Sequence, residues 1–163
     1  MRRLALVLVL LVLSGCGSTP APPKPQSPEE RFWAAQALVM LDGLDDALRR
    51  ITAAGVGPRT LTNDSLLYSA LVGYSDIGDC GNQLRHLGRP SARELEVGNE
   101  LNRACAHFQH AAELFTRAVT SNRSSPLVAA ASEALAMTPI LRSARALLTP
   151  VARRPASRPA ATG

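Results

Sequence analysis

The chain has 163 residues, 46% of them hydrophobic and only 4% aromatic, with 18 Lys and Arg against 13 Asp and Glu. That length holds one domain with its own core. The sequence pI near 9.9 invites a nucleic-acid reading, but the charge is placed wrongly for it. Residues 27–122 carry nine Arg against twelve acids, and residues 123–163 carry six Arg against one acid, with no aromatic among them to stack on bases.

Met1, Arg2 and Arg3 make a short cationic start, and residues 4–13 contain no polar side chain. Ten residues form a helix of about 15 Å, half of a bilayer core of roughly 30 Å. A positive flank, a short apolar core and small residues behind it read as a signal peptide over residues 1–15. Leu13-Ser14-Gly15-Cys16 resembles the lipobox of bacterial lipoproteins, in which a Leu and two small residues precede the cysteine. The resemblance covers residues 1–16. It implies that Cys16 is diacylated, becomes the first residue of the mature chain, and holds it to the cell membrane or outer membrane on the extracytoplasmic side. Gly17, where an Asp would imply inner-membrane retention, is compatible with outer-membrane sorting. One acyl chain anchors only marginally, at about 0.8 kcal/mol per buried CH₂, whereas two or more hold stably. The paired arginines lack the flanking pattern of twin-arginine export, so the general route is expected.

Residues 16–26 carry Pro20, Pro22, Pro23 and Pro25, a semi-rigid extended spacer. Residues 27–148 read as one helical domain. Ser27-Pro28-Glu29-Glu30 is a capping box with proline at the first helical position. Trp33, Ala37, Met40, Leu44, Ala47 and Ile51 then recur at helical spacing until Gly55 and Pro58. A second helix from about Asn63 places Leu67, Leu71, Tyr74 and Ile77 on one side, with a break expected near "DIGDCGN". A third, opened by Ser91 and Glu94, carries Leu95, Gly98, Leu101, Cys105, Phe108, Ala112, Phe115 and Val119. A fourth starts at Ser125-Pro126 with Leu127, Val128, Ala131, Leu135, Leu141 and Leu148, and Pro139 should kink it. No segment alternates with period two. The expected fold is all-α: a four-helix up-down bundle with one kinked helix, a proline-rich stalk and a disordered basic tail over residues 149–163.

With Cys16 lipidated, Cys80 and Cys105 remain in an oxidising compartment, where a disulfide is expected. A tight hairpin about Arg89 would set Cys80 opposite Gly98, about 10 Å from Cys105 along the helix. The pairing therefore requires the second helix to end before Cys80. His107 and His110 are a weak metal candidate, three residues apart on the face opposite the apolar stripe. His86 suits a helix C-terminus. Asp45–Arg49 and Asp46–Arg50 have the spacing of i,i+4 ion pairs, and Asp76 and Asp79 flank Gly78 in the weak stretch. Arg142, Arg145, Arg153, Arg154 and Arg158, with no acid between them, are candidates for contact with an anionic membrane or polymer.

No nucleophile elbow, phosphate-binding glycine loop or zinc-protease motif occurs in the sequence. The expectation is a non-catalytic, lipid-anchored envelope protein without a cofactor, docking an envelope protein partner and not nucleic acid. The alternative is a bundle that binds a metal or an apolar small molecule. A fatty-acid analogue fed to producing cells should label the parent chain and leave Cys16→Ser unlabelled. Equal labelling of the two excludes the anchor.

Overall fold

The computed structural model describes residues 26–153, in which all regular secondary structure is helical. In chain order these are α1 (Pro28–Ala54), α2 (Pro58–Thr62), α3 (Asp64–Gly78), α4 (Cys80–His86), α5 (Leu95–Ser121), α6 (Ser124–Leu135) and α7 (Thr138–Arg153). The chemistry that starts and stops them is local. Glu30 N–H donates to Ser27 Oγ at 3.1 Å while Glu30 Oε2 accepts from Ser27 N–H at 2.7 Å, so two orphan donors of α1 are satisfied together. Gly55, at φ +77°, ends α1 in a conformation that favours glycine. Thr60 Oγ1, buried on α2, donates to the Ala54 carbonyl at 2.9 Å and closes the helix end. Asn63 caps α3 by accepting from Leu66 N–H at 3.0 Å.

α1 packs on α3 and α7, and α5 packs on α3, α6 and α7. The core between them is built largely of alanine. Ala34, Ala37, Ala47, Ala104, Ala111, Ala118, Ala130, Ala134 and Ala144 are fully buried beside Leu41, Leu44, Leu101, Phe108 and Leu127. Small side chains bring helix axes to the near end of the usual 8–10 Å range. One such close approach is at Gly73, where a Cβ would lie 2.8 Å from Ile51 Cγ1 and 2.9 Å from the Ala47 carbonyl oxygen. On the other side of α3, Tyr74 stacks on Phe115 with centroids 4.4 Å apart. Burial pushes the Tyr74 phenol pKa up, and its hydroxyl has no hydrogen-bond partner. That oxygen is accepted for the ring's packing.

Cys80 and Cys105 are joined, with Cα atoms 5.2 Å apart. α3 ends at Gly78 and α4 begins at Cys80, as the pairing requires. The 10 Å offset is absorbed because the connection is not a tight turn at Arg89 but residues 87–94, all outside helices. Closing this 25-residue loop constrains the unfolded chain by about 3.5 kcal/mol in the entropic model.

Other expectations change. Pro139 does not kink one helix: α6 stops at Leu135 and α7 restarts at Thr138, putting proline in a first turn, where its missing N–H costs little. The helical domain does not end at 148, because α7 runs through Pro150 to Arg153. Residues 1–25 and 154–163 lie outside the described residues, and with them the signal peptide, Cys16, most of the spacer, Arg154 and Arg158. α5 starts at Leu95, and only half of the Ser91–Glu94 box forms: Glu94 Oε2 accepts from Ser91 N–H at 3.2 Å, while Ser91 Oγ is buried without a partner. α6 starts at Ser124, with Arg123 before it making no side-chain cap, so Ser125 lies inside the helix. Leu71, Leu95, Val119, Val128 and Leu135 are exposed, whereas Ala70, Val97, Ala118, Ala130 and Ala134 are buried.

Gly73→Ala should lower stability by about 1–2 kcal/mol despite alanine's better helix propensity, since backbone and Ile51 both stand in the way. Gly43→Ala, with nothing within 4 Å, should raise it by up to about 1 kcal/mol. Urea unfolding of the two variants checks the opposite signs.

Candidate docking groove

The disulfide lays α4 along α5, and the connection that follows folds back over the start of α5. Gly88, at φ +78°, turns the chain in the left-handed region, and its carbonyl accepts from Trp33 Nε1 on α1 at 3.4 Å. Gly98 lets the connection lie on α5, because a Cβ there would meet Pro90 Cγ at 2.8 Å. Between these elements is an open groove of about 330 Å³, with Trp33, Leu84, Pro90 and Leu95 on its apolar walls and Arg85, Arg89, Asn99 and Asn102 among its polar lining. Leu95 is 51% exposed at the groove. Arg85 pairs with Asn82, and Arg89 has no ion-pair partner among the described residues. Sequence spacing does not find this groove: Trp33 and Gly88 are 55 residues apart. The glycines around "DIGDCGN" and "HLGRP" are its only trace in the sequence.

The residues singled out from the sequence are not brought together. His107 Nδ1 lies 2.5 Å from Glu133 Oε1 across α5 and α6, while His110 is 3.9 Å from Glu113. No group of three or more His, Cys, Asp or Glu among the described residues is placed to hold a metal ion. His86 is in the last turn of α4. Asp79 accepts from Asn82 within the α3–α4 junction, and Asp76 is exposed.

The acidic stretch of α1 is used differently from its i,i+4 spacing. Arg49 pairs with Asp46, one residue nearer than expected. Asp42 and Asp45 instead face Arg145 of α7, at 2.6 and 2.7 Å. Desolvation draws the Arg145 pKa down, but the hydrogen bonds and charges of Asp42 and Asp45 outweigh it and hold it above its usual value. Arg145 is thus drawn into an interhelix fork and leaves the set of arginines open to an anionic surface. Arg142 and Arg153 remain exposed. Among the described residues no helix is long and apolar enough to cross a membrane.

Comparison with protein-family models, with curated proteins and with solved structures finds no match to this chain.

Arg145→Ala should destabilise the fold by about 1 kcal/mol, the guanidinium being divided between two carboxylates and both pairs discounted by solvent, since Arg145 and Asp45 are one-third and Asp42 two-thirds exposed. In the Asp42→Asn, Asp45→Asn background the same change should cost less than half as much. Chemical denaturation at 0.05 and 0.5 M salt reads the coupling, which should shrink at the higher salt.

Proposed function

We propose that this chain is an exported, lipid-anchored, non-catalytic envelope protein whose helical domain docks an acidic, amphipathic segment of another envelope protein. The anchor rests on the lipobox resemblance at Cys16. We read the helical domain as a four-helix up-down bundle in which α1, α3, α5 and the broken arm α6–α7 alternate in direction. Short connections and neighbouring packing support that topology: Tyr74 lies against Phe115, and four residues further on Gly78 lies against Ala112, so α3 and α5 run oppositely.

The docking reading is carried by one observation: the groove between α1, α4 and α5 has apolar walls and an unpaired Arg89. Its volume suits a few side chains of a partner segment. Apolar anchors would seat against Trp33, Leu84 and Leu95, and an acid would meet Arg89. A bound metal or apolar small molecule finds less support. His107 is engaged by Glu133, and the groove is open at the surface.

A photo-crosslinking residue at Asn99, in the full-length chain in its own envelope, tests the proposal. One dominant adduct is expected, weakened at least tenfold by Arg89→Glu with helicity unchanged. The same adducts from a probe at Val39, on the outer face of α1, would overturn it.

A further inference from the structure

Beside residues 87–94 lies an acidic cleft of about 170 Å³, where the start of α1, the start of α5 and the end of α7 meet. Val97, Leu148 and Val151 give it an apolar floor. Glu30, Glu94 and Glu96 stand there against one arginine, Arg93, which has an interaction of its own. A depression of about 160 Å³ shares Glu30 and Glu94 with the cleft, and in it Glu29 joins them against Arg89. Glu94 is the unusual group, only 4% exposed. Its Oε2 accepts from Ser91 N–H at 3.2 Å, while Oε1 is buried with no hydrogen-bond partner. The side-chain oxygens of Gln26, in the cleft, and of Ser91, in the depression, are buried and unpartnered as well. A carboxylate oxygen without a donor is costlier than either neutral group, because its charge keeps the desolvation penalty. What the cleft lacks is a set of donors that carries positive charge.

We propose that the cleft is a binding site for an alkylguanidinium group, the chemistry shared by an arginine side chain and a free guanidine. Size comes first: the cleft is smaller than the roughly 300 Å³ at which pockets for whole drug-sized ligands begin, so it takes one side-chain-sized group. The excess of acids makes that group a cation. A metal ion would need several oxygens within about 2.6 Å of one point. No three His, Cys, Asp or Glu among the described residues are grouped to hold one. A guanidinium spreads five N–H donors around a plane, so it can serve Glu94 Oε1 and neutral oxygens that do not converge. An ammonium gathers its three donors on one nitrogen and is the poorer match. The aliphatic stem would lie along Val97, Leu148 and Val151. Glu30, whose Oε2 is already held by Ser27 N–H at 2.7 Å, offers a second carboxylate that needs no reordering. The site is opposite in sign to the docking groove and depends neither on that groove nor on the lipid anchor.

Full-length protein in detergent is titrated with butylguanidinium chloride at constant ionic strength. Trp33, the chain's one tryptophan, lines the depression and reports by its fluorescence. Saturable binding is expected with Kd at or below about 1 mM, at least threefold tighter than butylammonium and at least tenfold weaker in Glu94→Gln. Trp33 also lines the docking groove and Glu94 does not, so the variant decides which surface is read. Glu94→Gln keeps the acceptor for Ser91 N–H, and its Tm without ligand should stay within about 3 °C of the parent. A larger loss makes the carboxylate a support of the fold and overturns the assignment. So do equal binding of the two cations, undiminished binding by Glu94→Gln, tighter binding of calcium chloride, or no saturable binding. A parallel titration separates the two sources. N-acetylarginine methylamide binding tighter than butylguanidinium assigns the cleft to a protein's arginine, and equal or weaker binding assigns it to a free guanidine.

Discussion

The bond between Cys80 and Cys105 decides where α4 lies, and both hollows at this end of the molecule are built on that placement. α4 has seven residues and no side-chain cap, so it has little helical stability of its own. Pinned at its first residue to the middle of α5, it must run along α5 toward that helix's start. Residues 87–94 then have to cross from α4 to Leu95 past the start of α1, where Gly88 turns under Trp33 and Pro90 rests on Gly98. Without the bond, the connection would be free to shorten toward a tight hairpin, and neither the wall formed by Leu84 nor the roof formed by Pro90 would be held.

Charge is uneven about that connection. Arg85 and Arg89 border the apolar groove, whereas Glu29, Glu30, Glu94 and Glu96 outnumber Arg89 and Arg93 around the smaller hollows beside it. A basic groove and an acidic cleft a few residues apart discriminate between partners better than either alone, because an acidic segment that slides off the first meets repulsion from the second. Their position matters for an anchored protein. Gln26 is in the acidic cleft, and only nine residues separate it from Cys16 in the sequence. In the proposed anchoring, both surfaces are at the end of the domain nearest the membrane.

What was legible in the sequence was what depends on neighbours in the chain. The Ser27–Glu30 box, the Gly55 stop, the helix start near Asn63 and the break before Cys80 are each decided within a few residues. The helical period was right on α5 as well, but its phase was set by the large residues, and the core is not. Leu95 and Val119 face out, while Ala104, Ala111 and Ala118 face the neighbouring helices. Where helices approach closely, alanine occupies the contact and leucine is displaced to the flank, so side-chain size misleads about direction. The ion pair of Arg145 with Asp42 and Asp45 was equally hidden, because roughly a hundred residues separate its members and a closer partner for Asp45, Arg49, stood in the sequence.

The same close packing explains why so much apolar surface is left outside. Four aromatics, Trp33, Tyr74, Phe108 and Phe115, fill the core, and alanine occupies much of the rest. Phe32, Val39 and Tyr68 therefore find no room inside. Phe32 and Val39 share a face of α1 two turns apart, about 10 Å, with Gln36 between them on that side. Tyr68 is on a different helix. Isolated apolar residues of this kind are ordinary on a protein surface and carry little binding energy singly. In the groove, by contrast, Trp33, Leu84, Pro90 and Leu95 are brought onto one concave surface by three helices and a covalent bond. Concavity lets one partner side chain touch several of them at once, and rigid walls spare the partner the entropy of ordering them. The physical case for docking thus rests on the groove's shape and support rather than on the amount of apolar surface the molecule exposes.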